Sequence, residues 1–211
     1  MERGFIFKPN TTVEYPEFVH NVISEHQWSN FCRPQSAAVI QLVREFYANY
    51  DPAVPDSIFV RGKHVPLTPK AINHVYALPE VEDQYQEFFN SIDANELKEV
   101  LNRLCEEGAE WTRGKQGAMT FPRAFLKPGP KVWFHFLKFR FMPSSHDHLI
   151  NKERAILLHC IMVGRNFDFG KLIQKQIGAA GAQITPISLT RILQEDNEPE
   201  TAAPNAPRLA V

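Results

Sequence analysis

The stretch NKERAILLHCIMVG, residues 151–164, decides the fold because it is apolar on nearly every side from residue 155 onward. Asn151 is of a type that caps helix N-termini, and Gly164 is of the type that most often ends helices. A helix that is apolar all round has to be buried by its neighbours. The sequence therefore predicts a central helix over 151–163, around which the other elements pack.

A second helix is predicted just upstream, where KVWFHFLKFRFM, residues 131–142, interleaves large apolar groups with cations. Pro130 can open this helix and Pro143 forbids its continuation, so the two prolines bracket about three turns. Residues 138–141 also fit the alternation of a strand, but the proline spacing favours the helix. Rings at helical spacing are usually core, so we expect the aromatic side chains to be buried.

Local signals mark further helix ends. Thr68 followed by Pro69 is a hydroxyl cap followed by proline at the first helical position. Asp93 and Glu96 have the spacing of a capping box, and Asp168 can cap the helix that follows it. The remaining predicted helices cover residues 17–26 and 36–50, with another starting at Thr185-Pro186.

Residues 57–67, SIFVRGKHVPL, instead alternate apolar and outward positions. Gly62-Lys63 suits a two-residue hairpin turn with glycine first, and Pro66 restricts the second strand to an edge. The sequence therefore predicts one small β-hairpin.

Composition and length indicate a single folded unit with a tail. The chain has 211 residues, of which 44% are hydrophobic and 22% charged, as is usual for globular domains. Residues 197–211, NEPETAAPNAPRLAV, lack an apolar period, so we expect a disordered Pro/Ala-rich tail there. We predict a mainly α fold, a compact multi-helix single domain over residues 1–196 with one small β-hairpin at about 57–67.

Several protein classes are excluded by simple counts. Three cysteines are too few for a disulfide scaffold, and the odd number suits a reducing compartment. No apolar run reaches the ~18 residues that a membrane helix needs, and the N-terminus MERGFIFKPN lacks a signal-peptide stretch. We expect an intracellular protein with no membrane partner, and nothing favours nucleus over cytoplasm. Cys105 and Cys160 lie on apolar helical stretches and are expected in the core, whereas Cys32 before Arg33-Pro34 is expected to be more exposed.

The net charge of -1 hides a strong segregation. Residues 1–110 carry 9 Lys and Arg against 17 Asp and Glu, a net of -8. Residues 111–175 carry 12 basic and 3 acidic groups, a net of +9, and residues 176–211 carry a net of -2. Such asymmetry is typical of a polyanion-binding face, but it also arises when two segments pack together and neutralise each other.

Six strings taken in order resemble a known family, the plant transposon protein domain. They are ERGF (2–5), QLVREFYANY (41–50), VRGKHVPLTPKAINHVYALP (60–79), KVWFHFLKFRFMPSSH (131–146), RAILLHCIMVG (154–164) and FDFGKLIQKQI (167–177). The resemblance covers roughly residues 1–196 and implies a mobile-element origin. It supplies no catalytic residues that could be carried over to this chain.

Transposase chemistry needs three carboxylates gathered on a sheet to hold two metal ions. The acidic residues of the basic segment are only Asp147, Glu153 and Asp168. Asp168 is better explained as a helix cap and Glu153 as a first-turn complement to the helix dipole. The sequence therefore favours a non-enzymatic domain.

Other catalytic motifs fail on spacing. The run SSHDH, residues 144–148, offers His146 and His148 as zinc ligands with His159 or Cys160, but no cysteine pair accompanies them. Members of a Ser-His-Asp triad are seldom neighbours in sequence, and GRNFDFGKL, residues 164–172, has the wrong glycine spacing for a phosphate-binding loop. We expect no metal and no cofactor.

The basic and aromatic stretch over residues 111–140 is the best functional candidate. Lysine and arginine bind nucleic-acid phosphates, and aromatic rings can stack on unpaired bases. We expect DNA or RNA as the partner, with phosphate contacts and no base readout. The residues assigned to these contacts are Arg113, Lys115, Arg123, Lys127, Lys131, Lys138 and Arg140.

The alternative is a protein-interaction or self-assembly module that makes no nucleic-acid contact. In that hypothesis the acidic residues of segment 80–110 dock on the basic segment of a second copy or of another protein.

Overall fold

A computed structural model describes residues 16–32, 38–114, 117–142 and 148–183. These residues form a mainly α domain, as predicted. The helices are α1 (Glu17–Glu25), α2 (Ser29–Cys32), α3 (Ile40–Ala48), α4 (Pro69–Val75), α5 (Gln84–Ser91), α6 (Ala94–Leu104), α7 (Pro128–Arg140), α8 (Lys152–Val163) and α9 (Phe169–Gln183). The strands are β1 (Ser57–Val60), β2 (Lys63–Pro66), β3 (Thr112–Arg113), β4 (Met119–Pro122) and β5 (Leu149–Asn151). Among the described helices, none combines the length and hydropathy needed to span a bilayer.

Helix α8 is the central element, as its apolar composition predicted. Asn151 caps it by accepting a hydrogen bond from the Arg154 backbone at 3.0 Å, and Gly164 ends it with a left-handed φ of 72°. Every side chain of α8 from residue 155 to residue 161 is buried. Neighbours that bury it are α5, α6, α7 and β5.

Helix α7 confirms the helical interpretation of the basic and aromatic stretch. It begins at Pro128, not Pro130, because Lys127 has the extended conformation of an N-cap residue. The first turn closes when the Lys131 backbone N–H donates to the Lys127 carbonyl at 3.0 Å. Its side chains buried against the core are Trp133, Phe134, Phe136 and Leu137.

The helix caps lie where the sequence placed them. Thr68 Oγ1 accepts a hydrogen bond from the Ala71 backbone at 3.2 Å. The Asp93 and Glu96 pair forms both bonds of a capping box, at 2.8 and 2.9 Å. The helix predicted from Thr185-Pro186 and the tail over 197–211 lie outside the described residues, as do the first residues of the helix predicted over 36–50.

The predicted hairpin is present, but its turn lies one residue earlier. Val60 pairs with Lys63, so the central turn residues are Arg61 and Gly62, with φ of 50° and 75°. Two left-handed residues make the turn whose twist matches the strands, and Gly62 serves the second position. Glu45 accepts a hydrogen bond from the Arg61 backbone at 2.7 Å and pairs with its Nε at 3.0 Å.

A second sheet accompanies the hairpin, and the sequence did not predict it. Strands β3, β4 and β5 form an antiparallel sheet in that order. Phe121 on β4 lies opposite Ile150 on β5, and both are fully buried. This sheet ties the segment before α7 to the start of α8, so it fixes where the basic segment enters the core.

Candidate nucleic-acid interface

The seven residues predicted to contact phosphates do not share one environment. Arg113 on β3 and Lys131 on α7 are exposed, whereas Arg123, Lys127 and Lys138 are half-buried. Lys115 and the side chain of Arg140 lie outside the described part.

Helix α7 separates its rings from its cations. Lys131, His135 and Lys138 follow the i, i+4, i+7 spacing of one helix face, and each is exposed or half-buried. The large apolar side chains are buried instead: Trp133, Phe134 and Phe136 are each at most 2% exposed. These rings pack in the core and are not available to stack on bases.

Lys127 has a structural partner as well as a charge. Its Nζ donates to the Asn102 carbonyl at 2.6 Å and reaches the Arg103 carbonyl at 3.5 Å. These carbonyls belong to the last turn of α6, where the helix dipole places about half a negative charge. Lys127 therefore caps α6 and is held in a fixed position beside it.

Lys127 also lies on a groove that the sequence did not reveal, which we call the basic groove. It is an open groove of about 780 Å³, and its cationic residues are Arg103, Lys127 and Arg165. They come from the last turn of α6, the N-cap of α7 and the second residue after α8. Within the described residues, none of the three forms an ion pair with a carboxylate. The other lining residues are Glu99, Asn102, His159 and Val163.

A buried histidine forms part of the groove lining. His159 is only 8% exposed, and its Nδ1 has no hydrogen-bond partner among the described residues. The imidazole stacks on the Phe88 ring with 5.6 Å between the two centroids. The Arg165 guanidinium lies 4.0 Å from the centroid of the Phe88 ring. Burial, together with the nearby Arg103 and Arg165 charges, lowers the pKa of His159 to about 4. The imidazole is therefore neutral at pH 7.

The acidic and basic segments neutralise each other only in part. Lys171 pairs with Asp83 at 3.2 Å, which joins segment 80–110 to the basic segment. Lys175 pairs with Glu153 at 2.6 Å inside the basic segment itself. Seven exposed carboxylates of segment 80–110 have no ion pair within the described residues: Glu82, Glu87, Asp93, Glu99, Glu106, Glu107 and Glu110.

The carboxylates considered for metal chemistry have other partners. Asp168 caps α9 by accepting from the Lys171 backbone at 3.2 Å, and it accepts from Asn73 Nδ2 at 2.9 Å. In the described ranges, no group of three His, Cys, Asp or Glu side chains could hold a metal ion. Of the residues considered for zinc or a triad, His146 and Asp147 lie outside the described residues, whereas His148, His159 and Cys160 lie within them.

All three cysteines are buried thiols. Cys105 and Cys160 lie in the core as predicted, but the expected exposure of Cys32 is wrong, since α2 carries it to 0% exposure. Burial raises the pKa of Cys105 to about 11 and that of Cys160 to about 12. Both thiols are therefore protonated at pH 7 and are poor nucleophiles.

Comparison with known families agrees with the resemblance seen in the sequence. A family model described as "Putative plant retrotransposon-related domain" matches residues 24–194. No curated protein and no solved structure matches the chain significantly.

Proposed function

Because the chain belongs to the plant retrotransposon-related domain family, we propose that it is a non-enzymatic, mobile-element-derived domain that binds nucleic acid without reading its sequence. Segment 111–140 supplies the phosphate contacts. The contact residues in this proposal are Arg113, Lys115, Arg123, Lys127, Lys131, Lys138 and Arg140.

One observation carries the proposal: in segment 111–140 the described cations reach the surface while most of the rings are in the core. Arg113 and Lys131 are exposed, and neither has an ion pair within the described residues. A cation without a carboxylate partner can neutralise a phosphate and release its counterions, which is the main source of non-specific affinity.

The same burial accounts for the absence of base readout in the proposal. Stacking on unpaired bases needs an open ring face, and the α7 rings Trp133, Phe134 and Phe136 have none. Contacts to phosphates position a nucleic acid but carry no sequence information. Since DNA and RNA share the phosphate, we expect both to bind.

Fluorescence anisotropy with mixed-sequence DNA and RNA tests this function on the full chain. We expect binding at low salt that weakens steeply as salt rises, with a log–log slope of roughly 0.7–0.9 per phosphate contact. Absence of detectable binding at low salt would overturn the proposal.

A matched pair of double variants tests the assigned surface. R113Q/K131Q removes two exposed cations of the basic segment, and we expect it to reduce that slope by roughly 1.4–1.8. K63Q/K70Q removes two exposed cations elsewhere and should leave the slope unchanged, since Lys63 lies on β2 and Lys70 pairs with Glu80 at 3.1 Å. Equal losses in both variants would contradict the assigned surface.

Self-assembly is the second candidate, and the exposed acidic surface favours it. The carboxylates of Glu82, Glu87, Glu106, Glu107 and Glu110 have no ion pair within the described residues, so they could dock on the basic segment of another copy. Light scattering at high concentration and low salt should then detect a dimer or larger assembly that added salt dissociates. A monomer under those conditions would exclude it.

A further inference from the structure

We infer that the basic groove between α6 and α8 is a binding site for one phosphate group. Arg103, Lys127 and Arg165 converge on it from separate parts of the chain, and only Lys127 belongs to the phosphate contacts proposed above. The site can therefore exist whether or not the chain binds nucleic acid through its exposed cations.

The positive charge of the groove exceeds the negative charge that surrounds it. The C-terminal ends of α6 and α8 each carry about half a negative charge, and Glu99 adds one more at the rim. The three cations outweigh these by roughly one positive charge. That surplus matches the charge of a phosphodiester, and of a phosphate monoester carrying one proton.

Two of the cations are held in place before any ligand arrives. Lys127 is fixed by its hydrogen bond to the Asn102 carbonyl at 2.6 Å, and Arg165 lies over the Phe88 ring at 4.0 Å. Binding then costs less side-chain entropy than it would at mobile surface cations. The planar Arg165 guanidinium can also donate two parallel hydrogen bonds to phosphate oxygens.

His159 places a neutral imidazole in the groove lining. It is more than nine-tenths buried and lies near Arg103 and Arg165, whose charges help burial to lower its pKa to about 4. A phosphate there would screen the imidazole from Arg103 and Arg165.

Imidazole signals in an NMR titration report directly on this site. Two probes are added separately to the full chain: inorganic phosphate and a mixed-sequence single-stranded hexanucleotide. We expect either probe to shift the His159 signals, which are assigned by comparison with H159Q. Much tighter binding of the hexanucleotide identifies a nucleic-acid backbone as the source of the phosphate, whereas similar affinities identify a free phosphate.

Variants at the groove separate specific binding from general attraction. R103Q/R165Q should weaken phosphate binding at least about tenfold, since it removes two charge-assisted contacts. K70Q changes a lysine that does not line the groove, so it should bind phosphate as the wild type does. Because Arg165 packs on Phe88, the exposed Arg103 is also changed alone, and R103Q should weaken binding severalfold while keeping the unfolding midpoint.

The inference fails if neither probe shifts the His159 signals of the wild type, or if R103Q/R165Q responds as the wild type does. Loss of nucleic-acid affinity in R113Q/K131Q with phosphate binding retained would leave the groove intact. Conversely, nucleic-acid binding without a His159 response would support the proposed function and overturn only the groove.

Discussion

The two faces of helix α7 have opposite surroundings, although their residues are close together in the sequence. On the inner face, Trp133 and Phe136 are at most 2% exposed and pack edge to face at 5.5 Å. On the outer face, Lys131 is exposed and lies only two residues from Trp133. The helical period alone assigns these neighbours to opposite surroundings.

That contrast determines how the basic and aromatic stretch should be interpreted. Alternating rings and cations look like a nucleic-acid platform in the sequence, where both could meet one strand. In the folded helix the rings stabilise the core, and the outward-facing cations remain for a ligand. The domain is therefore expected to attract phosphates and to ignore bases.

The largest effect should come from the inner face. Trp133→Ala removes a fully buried ring that also meets Trp28 edge to face at 6.1 Å. We expect the free energy of unfolding to fall by about 3–5 kcal/mol, measured by denaturant titration. Lys131→Ala on the outer face is the control and should change it by no more than about 0.5 kcal/mol. Similar losses of unfolding free energy in both variants would contradict the difference between the two faces.

An acid dependence of stability should follow from the groove, where cations approach the core. The pKa of His159 is about 4 in the folded chain, against 6.5 for the unperturbed side chain. Between these values the unfolded chain binds a proton that the folded chain rejects, so stability is present above pH 6.5 and is lost as pH falls toward 4. The free energy of unfolding falls by up to about 3 kcal/mol over this range.

Urea titrations across pH 4–7 of the wild type and His159→Gln measure this dependence. The stability advantage of the wild type should narrow as pH falls, and a residual slope should persist because burial also lowers the pKa of His26. Parallel curves for the two proteins would show that His159 does not titrate as described.

A smaller effect should separate two lysines that look alike in the sequence. Lys127→Met removes the ammonium that donates to the Asn102 carbonyl at the end of α6, and we expect a loss of about 1–2 kcal/mol in unfolding free energy. Lys131→Met changes an exposed lysine and should cost less than about 0.5 kcal/mol. Thermal unfolding of the two variants provides the comparison. An equal fall in melting temperature in both variants would contradict the structural role of Lys127.

Features encoded within a few residues were predictable. Asn151 and Gly164 bound α8, and the Asp93 and Glu96 pair caps α6, because each signal acts over one helical turn. The division of α7 into faces also follows from its period. Features that depend on distant partners were not predictable: the turn at Arg61 is held by Glu45, which lies sixteen residues earlier.

The second sheet and the basic groove could not be predicted from the sequence, because both depend on how separate elements pack. Strands β3 and β5 have two and three residues, too few to display an alternation. Arg103, Lys127 and Arg165 belong to three elements, and nothing in their spacing indicates that they meet. Lys127 was predicted as a phosphate contact, but its bond to the end of α6 depends on how the elements pack.

Removing the bases from the ligand tests most directly whether phosphates alone are recognised. The full chain is titrated at low salt with a mixed-sequence single strand and with an abasic strand of equal length. We expect the two affinities to agree within about threefold, because Trp133, Phe134 and Phe136 of α7 are buried and cannot supply the roughly 1–3 kcal/mol per base that stacking is worth. A tenfold or greater loss for the abasic strand, or failure of both strands to bind, would contradict recognition through phosphates alone.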